Sequence, residues 1–265
     1  MLNLLFIVIV GAALAVGLWL NKRKRDRIFG DQETGTLTDL VGRALLVASL
    51  FMGFALASAS ASFGQARNSV RVEAETIDNF FEYSEYAEEP ERRELTGGSV
   101  CYTRAVLNYG WGAGTGLRSD EINHWTSGFR DVFARMHADG DPLFGGLVSA
   151  DDKRSDSRRA RIEESRPNTP TMVYLLITVT VAISIGAFAL TLPRRSRPIF
   201  TWAVIVLAGL FTLTMVAIND LEVPFTGVIQ VSEYQMRDVL TDTTAEFAAE
   251  YGEAAVPCDE QGRPR

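Results

Sequence analysis

Residues 41–63 read VGRALLVASLFMGFALASASASF, and the fold follows from how that stretch is classified. After Arg43 at its edge, no charge appears until Arg67. The run shows no period-2 alternation, so it reads as a helix and not as a half-buried strand. Crossing the hydrocarbon core of a bilayer takes roughly 20 helical residues at about 1.5 Å each, and this stretch is long enough. Beyond it, Val70, Ala74, Ile77 and Phe81 recur at helical spacing among acidic residues, with no proline before Pro90. The same helix therefore continues as an amphipathic one.

Three further runs have the same character: Leu2 to Leu20, Met172 to Leu192, and Ile199 to Ile218. Backbone polar groups in lipid are satisfied only by helices or closed barrels, and uninterrupted apolar runs point to helices. The chain is 265 residues long, 47% hydrophobic, with a net charge of −7. The reading is an all-α integral membrane protein with spans at 1–20, 41–63, 171–192 and 199–218. Short basic loops occupy 21–40 and 193–198, a helical extramembrane domain occupies 64–170, and a C-terminal helix with a disordered tail occupies 219–265. Ala13-Leu14-Ala15 is also compatible with a signal-peptide cleavage site. The dense basic segment Lys22-Arg23-Lys24-Arg25 follows the first run instead of preceding it, which favours an anchor with its N-terminus outside.

Charge sets the expected orientation. Residues 21–43 with 193–198 carry 9 basic and 4 acidic residues, residues 64–170 carry 14 and 19, and residues 219–265 carry 3 and 10. The positive-inside rule puts the short loops in the cytoplasm of a plasma (inner) membrane, with the large domain and both termini outside. Cys101 and Cys258 then share the outer side, where they either pair as a disulfide or remain two separate thiols.

Within the large domain, one helix is expected from about Glu91 to Tyr109 and another from an N-cap at Ser119 to about residue 137, with Ile122, Trp125, Phe129, Val132, Phe133 and Met136 on one stripe. Gly110 to Gly116 reads as a connector, Asp151 to Arg166 as a charged stretch leading back to the third span, and Val231 to Tyr251 as a helix. Four apolar stripes require one another, so a helical bundle is the economical solution.

Several chemistries are disfavoured. His124 and His137 have no ligand spacing to a third metal-binding group, so no metal site and no cofactor is assigned. No nucleophile elbow or Cys/His pair is present, so no catalytic residue is assigned and an enzyme is not expected. The glycines at 110–116 lack the strand and the Gly-Lys-Ser/Thr end of a phosphate loop. An acidic outer domain argues against nucleic acid as a partner. No span carries a charge near its centre, which argues against a proton-coupled or ion-coupled pump. In the second span, Ser49, Gly53, Ala57 and Ala61 recur at spacing four, and Ser58, Ser62 and Gln65 form a second row. Small residues at this spacing either pack helices closely or line a narrow pore.

With these residues in view, the chain resembles the bestrophin-like family of bacterial four-helix membrane proteins. The resemblance rests on Val72-Glu73-Ala74-Glu75-Thr76-Ile77, on Tyr102-Thr103-Arg104-Ala105-Val106-Leu107 with Trp111, on Arg158-Arg159-Ala160-Arg161-Ile162, and on Pro224-Phe225-Thr226-Gly227. Gly110 departs from it, standing where the family pattern has Glu before Trp111. The resemblance implies a homo-oligomer in the lipid bilayer and a relation to bestrophins, which are oligomeric chloride channels, gated by calcium in animals. It also implies a cytoplasmic intermediate domain, opposite to the charge reading, which is followed here. The alternative function is a non-conducting scaffold or sensor whose helical domain binds a protein partner. Pro224 and Gly227 are expected to turn the chain, Tyr102 and Trp111 to pack the domain or sit at the membrane interface, and Arg158 and Arg161 to pair with Asp220 or Glu222.

Overall fold

The computed structural model describes residues 2–28, 31–111, 119–167, 170–192 and 198–265, with side chains for all of these except residues 2, 24–38 and 198. The glycines from Gly112 to Gly116, the basic loop 193–198 apart from the backbone of Pro198, and the side chains of Lys24, Arg25 and Arg27 lie outside the described residues. Among the described residues eight α-helices follow in order: α1 Leu2–Ile28, α2 Asp31–Glu85, α3 Glu91–Tyr109, α4 Asp120–Asp139, α5 Phe144–Glu164, α6 Thr171–Thr191, α7 Pro198–Leu221 and α8 Tyr234–Tyr251. No β-strand occurs among the described residues; one isolated bridge joins Cys258 to Pro264. The chain divides into two compact units, Met1–Ser62 with Pro167–Glu222, and Phe63–Arg166 with Val223–Arg265.

Among its described residues the first unit contains four helices, or parts of helices, long and apolar enough to cross a membrane: Asn3–Arg23, part of Asp39–Glu85, Thr171–Thr191 and Ile199–Leu221. Its central contact is α1 against α6, made possible by small side chains. A Cβ added to Gly17 would stand 2.3 Å from the Gly186 carbonyl oxygen, and one added to Gly186 would stand 3.1 Å from that of Ala13. Such close backbone approach is how apolar helices gain van der Waals contact where no water drives them together. The Asn21 side-chain amide donates to the carbonyls of Ala189 (3.0 Å) and Leu192 (2.8 Å). It thereby satisfies acceptors that the end of α6 leaves open. Phe6, Val10, Val181, Ile185, Phe211 and Met215 fill the interior, while Leu46, Phe54, Ile183, Trp202 and Leu213 face outward.

The second unit has the opposite distribution. Ile77, Phe80 and Phe81 of α2 pack with Leu95, Val100 and Val106 of α3, with Ile122, Phe129 and Met136 of α4, and with Met236 and Phe247 of α8. The separate stripes read from the sequence thus merge into one core. Ser119 caps α4, its hydroxyl accepting from the Ile122 amide, and Gly140 ends the helix in the left-handed region at φ 70°.

Three features depart from the expectations. The stretch 21–40 is helical to Ile28 and again from Asp31, because its Lys, Arg, Gln and Glu residues continue a helix readily and no proline interrupts it. The charged stretch from Asp151 is part of a regular helix, α5, whose inward residues include two arginines. The tail, expected to be disordered, is fixed. The Cys101–Cys258 disulfide (Cα–Cα 5.8 Å) ties it to α3, and the Trp125 indole donates to the Gly262 carbonyl at 2.7 Å. Gly262 has φ +83°, and a Cβ there would stand 2.5 Å from the Ala105 nitrogen, so the tail lies flat on α3 only because this residue is glycine.

Candidate functional site

In the first unit, α2 is packed on one side only. Val41, Ala48, Met52 and Ala59 are buried. Ser49, Gly53, Ala57, Ser58 and Ala61 are exposed, and Ser62 is half-buried. A Cβ added at Gly53 would meet nothing within 4 Å. The Ser49 hydroxyl turns back to the Leu45 carbonyl at 2.8 Å, which reduces its polarity toward its surroundings. Beside this row, α2 and α6 bound an apolar groove of about 590 Å³, lined among others by Phe51, Phe54, Ser58, Leu176 and Thr180. The row is therefore uncharged, thin in side-chain bulk and, apart from half-buried Ser62, exposed among the described residues.

In the second unit, five of the singled-out residues meet. Arg161 of α5 lies on Glu73 of α2, both essentially without solvent exposure, with the Arg161 Nε donating to Glu73 Oε2. The Arg161 Nη1 donates to the Gly110 carbonyl at 2.9 Å. The guanidinium carbon sits 5.4 Å from the Trp111 ring centroid and 5.9 Å from that of Phe225, and these two rings meet edge to face at 5.6 Å. Arg161 thus pairs with Glu73. A buried ion pair needs additional hydrogen bonds to offset desolvation, and the Gly110 carbonyl supplies one. The departure at Gly110 has a steric reason: a Cβ there would stand 2.9 Å from Ile122 Cδ1 and 3.0 Å from the Val106 carbonyl oxygen. Pro224 accepts from the Val231 amide at 2.8 Å across a turn in which Gly227 has φ +121°.

Tyr102 is fully buried. Burial raises its phenol pKa, against the pull of the neighbouring Arg154. Arg154, 2% exposed, stacks over the Tyr102 ring at 4.2 Å and donates from Nε (2.9 Å) and Nη2 (2.5 Å) to Asp151 Oδ1. Burial alone would lower the pKa of this arginine; Tyr102 and Asp151 outweigh it, so it is held charged. Arg154 escaped the sequence reading because it sits among charges that look solvated. The available signal was the spacing of Arg154, Arg158 and Arg161, at i, i+4 and i+7 with Leu147 and Ala150 on the same side. Arg158 is half-buried. His124 and His137 are exposed on α4, and among the described residues no group of His, Cys, Asp or Glu is arranged to hold a metal ion.

A third feature is an acidic face shared by α2 and α8. Burial, then Glu82, Glu246 and Asp242, raise the pKa of Asp78. Burial, then Glu246, Glu250 and Glu82, raise that of Glu85, against the opposing effect of Arg92.

A sequence model of the bestrophin-like domain matches residues 5–236. Among curated protein sequences none matches. A bacterial bestrophin homologue from Klebsiella pneumoniae, solved by zinc phasing, superposes with a TM-score of 0.66 at 13% identity, covering 93% of this chain and 97% of that one. A single-residue variant of the Klebsiella pneumoniae homologue gives 0.66 at 14% identity over 93% and 98%. A structure described as a membrane protein, also a single-residue variant, gives 0.69 at 11% identity over 92% and 98%. At these identities the likeness is one of fold.

Proposed function

Because the chain belongs to the bestrophin-like family, we propose that it is a multi-pass membrane protein that assembles into an oligomeric ion channel, with α2 lining the conduction path. The observation that carries this reading is the exposed row Ser49, Gly53, Ala57, Ser58 and Ala61 on a helix whose other face is packed. A pore between copies needs such a face: close-approaching, weakly polar and free of fixed charge. Bestrophins themselves are oligomeric anion channels, so a small anion is the first ion to test. Purified protein in liposomes is expected to pass anions, and Gly53→Trp is expected to block that flux while leaving the helical content and melting of the protein unchanged. Absence of flux across a range of pH and calcium concentration would remove the channel reading.

The orientation belongs to the same proposal. The short basic segments face the cytoplasm, and the second unit with both termini faces outward, opposite to the arrangement in bestrophins. Its support is the basic loops together with the buried Cys101–Cys258 bridge, since structural disulfides persist in oxidising compartments. In intact cells, a membrane-impermeant thiol reagent is expected to label these cysteines only after denaturation and impermeant reduction outside the cell; labelling confined to lysed cells reverses the orientation. A scaffold or sensor is the second reading. It is favoured by the exposed tyrosines Tyr83, Tyr86 and Tyr234 of the second unit, because exposed tyrosines are frequent contact residues at protein interfaces. A stable partner whose capture is lost when these three are changed to Ser, in a protein that passes no ions, would establish it.

A further inference from the structure

Helix α1 has two faces. Phe6, Val10, Gly17 and Asn21 are buried against the rest of the first unit. On the opposite side Val8, Ala12, Ala15, Trp19 and Lys22 recur at spacings of four and three, with Arg23 beside them, and all six are exposed. The Arg23 guanidinium carbon lies 5.4 Å from the Trp19 ring centroid, so this cation is folded back along the helix over an indole that is itself 48% exposed. The level of these residues in the unit is fixed. Leu18 packs with Leu192 and Val204, and Asn21 donates to the carbonyls at the end of α6. Lys22 and Arg23 therefore stand where α1, α6 and α7 reach the edge of the apolar layer.

The exposed face changes character in three steps. Lys22 and Arg23 are cations, and residues 1–25 contain no Asp or Glu to neutralise them. Trp19 is an apolar body with one N–H, the kind of side chain that settles where hydrocarbon meets headgroups. Ala12 and Ala15 are thin and leave a shallow apolar track, with Val8 at its far end. The rise from Val8 to Arg23 is roughly 22 Å at about 1.5 Å per residue. That is the depth of one leaflet in a bilayer about 40–45 Å thick with its headgroups. A phospholipid matches the face end to end, with its phosphate at the cations, its glycerol at the indole and a chain on the alanines. Charge selects the headgroup. A zwitterionic lipid brings its own ammonium toward Lys22 and Arg23, whereas an anionic one does not. Stacking on Trp19 leaves the N–H edge of the guanidinium open to phosphate oxygens.

We propose that this face of α1 binds one anionic phospholipid, its phosphodiester held by Lys22 and Arg23 and one acyl chain lying on Ala12 and Ala15. The proposal rests on α1 spanning the bilayer, and on neither conduction nor orientation.

Thermal unfolding of the full-length protein in neutral detergent tests it. Three additions are compared: phosphatidylglycerol, phosphatidylcholine with the same chains at equal mole fraction, and soluble glycerol phosphate. Phosphatidylglycerol is expected to raise the midpoint saturably, by about 2–4 °C, and the other two to leave it unchanged. Lys22→Gln/Arg23→Gln is expected to raise the lipid concentration at half effect about thirtyfold. Ala15→Phe, which fills the track without altering charge, is expected to weaken the effect as well, and Arg237→Gln, an exposed cation of α8, to leave it intact. A midpoint indifferent to phosphatidylglycerol, or raised equally by phosphatidylcholine, removes the anionic headgroup from the account. An equal rise with glycerol phosphate removes the lipid, and an effect undiminished in both the double variant and Ala15→Phe places the binding elsewhere. Each of these results overturns the proposal. The spanning of α1 is read separately, from retention of the protein in alkali-washed membranes.

Discussion

The two units are built on opposite distributions of the same side chains. In the first, leucines, phenylalanines and tryptophans such as Leu46, Phe54, Trp202 and Leu213 face outward, and the tightest contact is between glycines and alanines. In the second, the large apolar residues are inside, and arginine, glutamate and tyrosine are buried with them. The first arrangement suits a surrounding as apolar as the side chains themselves, where the hydrophobic effect between helices is absent and fit supplies the contact energy. The second suits water, where apolar burial is worth roughly 25 cal/mol per Å² and can carry the cost of burying a few polar groups. Polar burial is accordingly the vulnerable point of one unit, and backbone proximity that of the other.

The largest effect expected on this contrast comes from Arg161→Met, which leaves Glu73 buried without its cation. A loss of about 3–5 kcal/mol is expected in chemical unfolding of the second unit, with most of it recovered in the double variant Glu73→Leu/Arg161→Met. If the single variant costs no more than a surface change, the buried pair does not matter as described. Next is the disulfide, which closes a separation of 157 residues. Cys101→Ser/Cys258→Ser is expected to lose about 2–4 kcal/mol, and wild-type protein after reduction should match it in the same urea titration.

Two glycine substitutions in the first unit sharpen the comparison. Gly17→Ala puts a methyl against the Gly186 carbonyl and should cost about 1–3 kcal/mol, read as lowered thermal stability in detergent. Gly53→Ala meets open space and should be neutral or stabilising by about 0.5–1 kcal/mol within one chain. A large loss at Gly53 would instead reveal a neighbour supplied by another copy.

The smallest effect concerns the acidic face. The carboxyls of Asp78 and Glu85 have folded-state pKa values above their ordinary ones. The folded state therefore binds more protons than the unfolded state between those two values, and stability falls as pH rises through that window. Asp78→Asn is expected to gain about 0.5 kcal/mol at neutral pH. The gain should vanish as pH drops below the ordinary carboxylate range, which paired melts at acid and neutral pH will show.

Much of the fold was legible because apolar periodicity is a local property. The uncharged runs, the stripe from Ile122 to Met136 and the cap at Ser119 are each contained within a few turns of chain. The inward arginines of the segment from Asp151 were not legible for the complementary reason: charge density within a window resembles a solvated face, and burial is decided by what packs against it. The candidate residues of α2 were legible as a row of small side chains, whereas their exposure was not.

What the sequence determined by itself was helical character, the four apolar runs and the family to which they belong, since these depend on residue type and spacing along one chain. Only the tertiary structure decided that Arg161 meets Glu73 and the Gly110 carbonyl, that Arg154 turns inward over Tyr102, and that Cys258 reaches Cys101 and pins the tail. Those partners are separated by 51 to 157 residues. No local pattern records which distant group will satisfy a buried charge, because that is fixed by the packing of helices whose mutual register the chain specifies only as a whole.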